Sequence, residues 1–345
     1  MIIKKCRKQG GVILMSILFS LFFSLNVMAD FVALEKALTG NKPLLAEKAY
    51  QELSESAQSN LVGQVLYGRL LFQLEKTQAS YDWLEPLSEN NPNNVDISYY
   101  FGRSAIVMAQ KASIFSKLSY AKEALTLWQH ALLLDPNHIK TLRGLISFHL
   151  GAPSIAGGDI EAALKYSVSL ITLQPESGYV NLARVYWKKE QNTLAEKAIN
   201  DGLIISPESE ALYFAQGLAY MEQAENNQSL WGKARLSLNQ ALKYAKSDQD
   251  KQKLLYQLGK IAVKSGEKIT EGINAIILLL TLEGQDYNEW GKYRLAQLYF
   301  NDNQLTKAQE LAGLIDYQED EDLKSAVKKL VKTIKKAFKS TLKSS

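Results

Sequence analysis

Two glycines constrain what this sequence can fold into. Gly68 and Gly102 lie 34 residues apart, and each precedes an apolar stretch that ends at a proline. A fixed period near 34 residues is typical of units built from two antiparallel helices, which cannot bury their apolar faces alone. Stacked units of this kind share a continuous core and leave a concave surface open. The spacing therefore predicts an all-α solenoid of antiparallel helix pairs.

The pattern recurs along the chain, with small residues in both helices of a unit and a closing proline in most units. Its positions are, unit by unit, Tyr67, Gly68, Leu71, Leu84, Leu87 and Pro92; Tyr99, Gly102, Ala124, Trp128, Ala131 and Pro136; Leu142, Leu145, Ala163 and Pro175; Tyr179, Leu182, Ala183, Tyr186, Ala195, Ile199, Gly202 and Pro207; Tyr213, Gly217, Tyr220, Ala234, Leu238 and Ala241; Leu255, Leu258 and Gly259; Leu295, Ala296, Tyr299, Ala308 and Ala312. The recurrence resembles the tetratricopeptide-repeat (TPR) family over roughly residues 60–315. The resemblance implies that the helix pairs wind into a right-handed superhelical solenoid and that these residues pack the helices together, and each proline ends a helix.

The first 29 residues have the composition of a secretory signal peptide. Residues 4–8 include four basic side chains, Gly11–Leu25 is apolar, and Ala29 offers a cleavage position. The apolar stretch is short for a membrane span, although an uncleaved anchor is the alternative. The single cysteine, Cys6, precedes this stretch, so we expect no disulfide or thiol chemistry in the mature chain. These features predict a periplasmic protein that begins at Asp30.

Charge is distributed unevenly over the rest of the chain. Residues 323–345 contain eight lysines and no acidic residue, whereas the preceding body is acidic. Apolar residues recur there at helical spacing and are Leu323, Val327, Leu330, Ile334 and Phe338. This amphipathic pattern predicts a helix that caps the last repeat. Attraction of its lysines to an anionic lipid surface is a second hypothesis that is compatible with the first. The acidic body argues against nucleic acid as a partner.

These patterns predict four segments. Residues 1–29 are expected to form a cleaved signal peptide, 30–59 a degenerate half-repeat, 60–317 the repeat array and 318–345 the basic capping helix. The apolar stretch Ile273–Leu282 is too short to span a bilayer, and we interpret it as a fully buried second helix of its unit.

Three linkers between paired helices are predicted to be longer than in an ideal repeat, namely Ala112–Lys122, Gly151–Asp159 and Glu225–Trp231. Such insertions fall on one face of a solenoid, often the binding face. Gly151–Asp159 either forms a backbone nest for an anion or is a turn in which Asp159 begins the next helix. It also resembles a Gly-Gly-Asp stretch in the T component of TRAP transporters. A closed pocket under this linker favours a small ligand, whereas an open groove favours a protein segment.

The sequence shows no arrangement that is typical of catalysis. Its three histidines, His130, His138 and His149, have no metal-ligand spacing, and no nucleophile or nucleotide-loop motif is present. We therefore expect no enzyme activity, no metal and no cofactor.

The TPR resemblance implies that residues flanking the packing positions of each first helix point into the concave groove. These candidate groove residues are Arg69, Phe72, Tyr99, Arg103, Arg143, Leu150, Arg184, Trp187, Phe214, Met221, Tyr256, Lys260, Tyr293 and Phe300. Cations recur among them, and Tyr99 and Tyr256 each precede a cation by one turn, Arg103 and Lys260 respectively. Such a surface suits an acidic peptide or a free C-terminal carboxylate. The alternative is that the cations are solvated and the aromatic residues belong to the core.

The sequence thus supports two hypotheses about function. The first is a periplasmic protein-interaction scaffold or adaptor that binds peptide or protein segments in a basic, aromatic groove. The second is a small-ligand or transporter-associated binding protein similar to the TRAP-transporter T component.

Overall fold

The structure of the protein, a computed structural model, describes residues 31–283, 287–317 and 320–344. Eighteen helices in these ranges pack as consecutive antiparallel pairs, which confirms the all-α fold. They are α1 Val32–Thr39, α2 Pro43–Gln51, α3 Glu55–Ser59, α4 Leu61–Gln73, α5 Thr77–Asn90, α6 Val95–Lys111, α7 Ile114–Leu134, α8 Ile139–Gly151, α9 Ile160–Leu173, α10 Pro175–Lys188, α11 Asn192–Ile205, α12 Glu210–Ala224, α13 Leu230–Tyr244, α14 Asp248–Ser265, α15 Ile269–Thr281, α16 Asn288–Asn301, α17 Leu305–Gly313 and α18 Glu321–Ser344.

Short polar side chains begin several of these helices. Asn94 accepts a hydrogen bond from the backbone N–H of Ile97 at 3.0 Å, and Ser209 accepts one from Leu212 at 3.1 Å. Each such cap satisfies one of the unpaired N–H groups of the first turn and stabilises the helix by about 1 kcal/mol. Pro175, which was predicted to close a repeat, follows the end of α9 at Leu173 and is the first residue of α10, where its missing N–H costs nothing.

The repeat glycines lie where a helix approaches its partner most closely. A Cβ atom added to Gly68 would lie 2.6 Å from Leu84, and one added to Gly217 would lie 2.6 Å from Leu238. Both contacts join the two helices of one pair, α4 with α5 and α12 with α13. The predicted packing role of these glycines is therefore confirmed.

The described helices fall into two units, one ending at Tyr166 and the other beginning at Ser167, so the boundary lies inside α9. In the first unit, fully buried residues such as Leu84, Ile97 and Leu145 fill the space between successive helix pairs. In the second unit, Leu212 and Leu238 have the same role. Each unit thus has its own apolar core.

Three segments differ from their sequence-based interpretation. Three short helices, α1, α2 and α3, lie within residues 30–59, where a half-repeat was predicted, and α1 and α2 pack against each other and against α4. Most of the predicted linker Ala112–Lys122 is helical and lengthens α7, because residues 114–134 contain neither glycine nor proline. The stretch Ile273–Leu282 is buried on one side only, since Leu278 is 49% exposed. In contrast, Glu225–Ser229 does form a linker between α12 and α13.

The basic terminal helix α18 packs its apolar side on α16 and α17. Leu323, Val327, Leu330 and Ile334 are buried there, and Phe338 is partly buried beside them. The lysines lie on the other side, and those between residues 328 and 339 are exposed. Within the described ranges, no helix is long and apolar enough to cross a membrane. The predicted signal peptide, residues 1–29, lies outside those ranges.

Candidate functional site

In the first unit, the first helices of three successive helix pairs bring positive charges together. Arg69 lies on α4, Arg103 on α6 and Lys140 on α8, and we call these three residues the cationic cluster. The Arg103 guanidinium carbon lies 4.3 Å from the ring centroid of Phe72 and 6.0 Å from that of Tyr99. Three predicted groove residues, from two different repeats, therefore do lie close together.

Two members of the cationic cluster have carboxylate partners. The side chain of Arg69 is only 11% exposed, and its Nη1 lies 3.5 Å from Glu35 Oε2. Lys140 Nζ lies 3.6 Å from Asp96 Oδ1 and donates a hydrogen bond of 3.0 Å to the Tyr100 hydroxyl. Burial alone would lower the pKa of Lys140, but this hydrogen bond and the negative charge of Asp96 raise it above its usual value. Lys140 is therefore charged at neutral pH.

Arg103 differs from the other two cations. No carboxylate of the described residues lies within ion-pair distance of its guanidinium, which is half-buried against Phe72 and Tyr99. Burial raises the pKa of the Tyr99 hydroxyl, while the positive charge of Arg103 opposes that shift. The two ring contacts hold the guanidinium in place, and its forked N–H donors match a planar anion such as a carboxylate.

In the third repeat, a lysine outside the predicted set contacts the aromatic residues of α6. Arg143, the predicted groove residue of α8, is exposed, and Lys140, three residues earlier, makes that contact. Tyr100, which is 5% exposed, was also absent from the predicted groove residues. Lys140 follows His138, whose ring contacts Tyr99 edge-on. The sequence signal that could have identified Lys140 was a lysine one turn before a predicted groove position.

The predicted cations of the second unit do not form a comparable cluster. Arg184 is exposed and donates a hydrogen bond of 3.1 Å to Asn181 on its own helix. Phe214 lies beneath Lys253, whose Nζ is 4.5 Å from the ring centroid and 3.2 Å from Glu210 Oε1. The other candidates of this unit include Trp187, partly buried in an apolar cluster, Met221, buried, and Phe300, packed near α18. Leu150, in the first unit, is half-buried.

A buried arginine makes the contact with Tyr256 that was expected of Lys260. Arg294, on α16, is 9% exposed, and its guanidinium carbon lies 5.5 Å from the Tyr256 ring and 5.8 Å from the Tyr293 ring. It donates hydrogen bonds of 2.7 Å to Gln297 Oε1 and 3.3 Å to the Tyr256 hydroxyl. The predicted pairing of Tyr256 with Lys260 is thus replaced by a contact with Arg294. Its stem crosses Gly259, where the lack of a Cβ leaves room.

The linker after α8 forms a turn. Asp159 Oδ1 accepts hydrogen bonds from the backbone N–H groups of Glu161 and Ala162 at 2.9 and 3.3 Å, so Asp159 caps the N-terminus of α9. The N–H groups of Gly157 and Gly158 donate to the carbonyls of residues 154 and 153. These donors are therefore unavailable to an anion, and the nest hypothesis is wrong for them.

A cleft of about 630 Å³ does lie beside this linker. Its walls come from α6, α7, α8 and residues 151–156, and they include Ile106, Trp128, Phe148 and Ile155. A second cleft of about 310 Å³ lies between α13, α14 and α15 in the other unit. The larger cleft is in the size range of small-molecule sites.

The three histidines lie apart from one another and have local partners. His130 Nε2 is 2.8 Å from the Pro92 carbonyl oxygen, and His138 Nδ1 is 2.6 Å from Thr141 Oγ1. His149 is buried, with Nδ1 3.1 Å from the Gly157 carbonyl oxygen, and burial lowers its pKa. Across the part of the chain that the structure describes, no group of three or more potential ligand residues could hold a metal ion.

Solved structures with this architecture are known. A TPR protein from Parabacteroides merdae is 12% identical, with a TM-score of 0.50, and the match covers 79% of this chain and 98% of that one. Yeast Tom70 is 14% identical, with a TM-score of 0.51 over 84% of this chain and 66% of Tom70. The human IFIT1 dimer with PPP-AAAA is 15% identical, with a TM-score of 0.53 over 90% and 73%. No family profile and no curated protein matches the sequence.

These similarities define the class of the protein. It is a TPR-like helical-repeat protein by structural similarity, built from antiparallel helix pairs. At identities of 12–15% the similarity establishes the fold alone.

Proposed function

We propose that the protein is an interaction scaffold that binds acidic protein segments at the cationic cluster of its first unit. Proteins with TPR folds are protein-interaction scaffolds and are typically non-catalytic. The observation that carries the proposal is Arg103, a half-buried guanidinium held between Phe72 and Tyr99 with no carboxylate partner among the described residues. An acidic side chain or a C-terminal carboxylate of the partner supplies the missing charge.

The chemistry of the surroundings fits such a ligand. A carboxylate that accepts both arms of a guanidinium forms charge-assisted hydrogen bonds of about 1.5–3 kcal/mol each. Phe72 and Tyr99 add flat apolar surface for the neighbouring peptide side chains. Because Glu35 and Asp96 already compensate Arg69 and Lys140, the uncompensated charge of the site is concentrated on one residue.

An array of random peptides, each synthesised with either a free or an amidated C terminus, tests the proposal. The wild-type protein is expected to select acidic peptides or free C termini, and Arg103→Ala is expected to lose that selection. Arg184→Ala is the matched control, because Arg184 is an exposed arginine on a first helix of the other unit. Equal selection by both variants would contradict the proposed site.

The export of the protein is a separate part of the proposal. It rests on the basic, apolar and small residues of positions 4–29, which favour cleavage after Ala29. N-terminal sequencing of the native protein checks it, and retention of Met1–Ala29 in a membrane fraction would contradict it. The resemblance to the TRAP T component and the lipid contact of the α18 lysines stay predictions of the sequence.

A further inference from the structure

Two departures from the ideal repeat border the same cavity. The extension of α7 contributes Leu118 and Ala121 to the 630 Å³ cleft, and the linker after α8 contributes Pro153, Ile155 and Ala156. Insertions in helical repeats often map to a binding face. Both insertions of the first unit thus build one feature, which a regular helix pair would not contain.

The cleft is apolar and large. An engineered cavity of roughly 150 Å³ lined by aliphatic side chains binds benzene, so this cleft has room for a ligand several times larger. Its walls combine bulky side chains such as Ile106 and Phe148 with small residues such as Ala109, Gly144 and Gly151. Ile155 is 74% exposed at its edge, an unusual position for a large apolar side chain.

Charge at the cleft identifies the polar end of the ligand. Among the described residues that line it, Lys117 is the only one with a formal charge, and its side chain is exposed. A ligand that fills the apolar space and pairs with Lys117 has a long hydrocarbon part and one anionic group. We propose that the cleft binds the acyl chain of a single-chain anionic amphiphile, such as a fatty acid or a lysophospholipid, with its head group at Lys117.

Isothermal titration calorimetry of the full chain with octanoate, dodecanoate and hexadecanoate, each below its micelle concentration, tests the site. Affinity is expected to rise up to about tenfold for each added pair of methylene groups until the chain outgrows the cleft. Dodecyl maltoside, which has the same chain and a neutral head, is expected to bind more weakly than dodecanoate. Equal binding of the two would overturn the assignment of the head group.

Gly151→Leu blocks the cleft with little disturbance of the fold. Gly151 lines the cleft, its φ is not positive, and a Cβ atom built on it meets nothing within 4 Å. Gly313→Leu is the matched control, because Gly313 also ends a helix and faces open space. Gly151→Leu is expected to lose at least about tenfold in dodecanoate affinity, as overfilled apolar sites do, while Gly313→Leu binds like wild type. Equal affinities, or no binding by the wild-type protein, would overturn the proposal.

The lysine is tested by a second pair of variants, which decides the matter even if Gly151→Leu does not fold. Lys117→Gln is expected to weaken dodecanoate binding about threefold to fivefold, since exposed ion pairs contribute little. Lys111→Gln, an exposed lysine that does not line the cleft, is expected to bind unchanged. No difference between the two variants would overturn the role of Lys117. A comparison of dodecanoate with a lysophosphatidylglycerol of equal chain length then distinguishes a free fatty acid from a lipid.

Discussion

Arg103, in the first unit, and Arg294, in the second, each lie on the first helix of a helix pair. Each contacts two aromatic rings, yet their surroundings differ. Arg103 is half-buried, and Phe72 and Tyr99 hold it without a polar partner among the described residues. Arg294 is buried, and it donates to Gln297 and to the Tyr256 hydroxyl inside the protein. The same residue type is therefore available to a ligand in the first unit and committed to the fold in the second.

This difference shows why a recurring cation in a repeat does not by itself mark a binding surface. Burying a guanidinium is costly unless its donors are satisfied, and neutral oxygen atoms and aromatic faces satisfy part of that need for Arg294. A half-exposed guanidinium keeps its hydration and loses it only when a partner binds. The number of internal partners thus separates the structural arginine from the one proposed to bind.

The largest expected effect is on the stability of the second unit. Arg294→Ala removes two hydrogen bonds and two cation–π contacts, and we expect it to destabilise the protein by about 2–3 kcal/mol. Arg294→Met retains most of the volume and is expected to lose less, because a buried charge is removed without leaving a cavity. Chemical denaturation measures both variants. A loss below about 0.5 kcal/mol for Arg294→Ala would show that the guanidinium is not a structural element.

The contribution of Arg69 to stability is expected to lie between those of Arg294 and Arg103. Its side chain is largely buried and pairs with Glu35, but Glu35 is itself half-exposed. Arg69→Ala is therefore expected to cost about 1 kcal/mol in the free energy of unfolding. The same denaturation experiment checks it, and a cost equal to that of Arg294→Ala would remove the proposed dependence on burial.

For Arg103 we expect a change in binding with almost no change in stability. Arg103→Ala is expected to alter the free energy of unfolding by less than about 0.5 kcal/mol, because its contacts are partly exposed. Arg103→Lys keeps the charge but loses the fork, so it is expected to recover only part of the affinity for an acidic peptide. Titration of such a peptide at low and high salt measures this. Full recovery by lysine would show that charge alone matters.

The smallest expected effect concerns pH and the first unit, which contains all three histidines. Burial lowers the pKa values of His138 and His149 in the folded state. Their stabilisation is complete above the unfolded pKa of about 6.5 and is lost as the pH falls below it. Glu123, whose pKa is raised by burial, has the opposite effect. His149→Gln leaves Glu123 in place, so the difference between variant and wild type isolates the histidine.

Melting curves at about pH 7.5 and about pH 5.5 check this prediction. The variant is expected to lose less stability than the wild type over this interval. The carboxyls of Asp250 and Asp320 in the second unit have lowered pKa values, so they contribute only at more acidic pH. Identical pH dependence of the two proteins would contradict the assignment.

The helix pairs were predictable from the sequence because their packing is local. The offsets of Gly68, Gly102 and Gly217 report contacts between neighbouring helices, and each glycine does lie against its partner helix. The pairing of Arg103 with Tyr99 was predictable for the same reason, since both lie on one face of α6.

The remaining parts of the site depend on distances that no single repeat encodes. Which turn of α8 approaches α6 decides between Lys140 and Arg143, and the offset between α14 and α16 brings Arg294 over Tyr256. The cleft depends on the extension of α7, which was interpreted as a linker because its length did not fit the repeat. The glycine contacts within a helix pair were therefore predictable, whereas the contacts of Lys140 and Arg294 with a neighbouring repeat were not.

Hydrogen exchange with and without a bound acidic peptide tests the difference between the two arginines most directly. The peptide is expected to protect amides in α4, α6 and α8, which carry Arg69, Arg103 and Lys140, and to leave α14 and α16 unchanged. Arg103→Ala is expected to abolish that protection without altering exchange in the free protein. Protection centred on α14 and α16 instead would contradict the account, because it would make Arg294 the residue that binds.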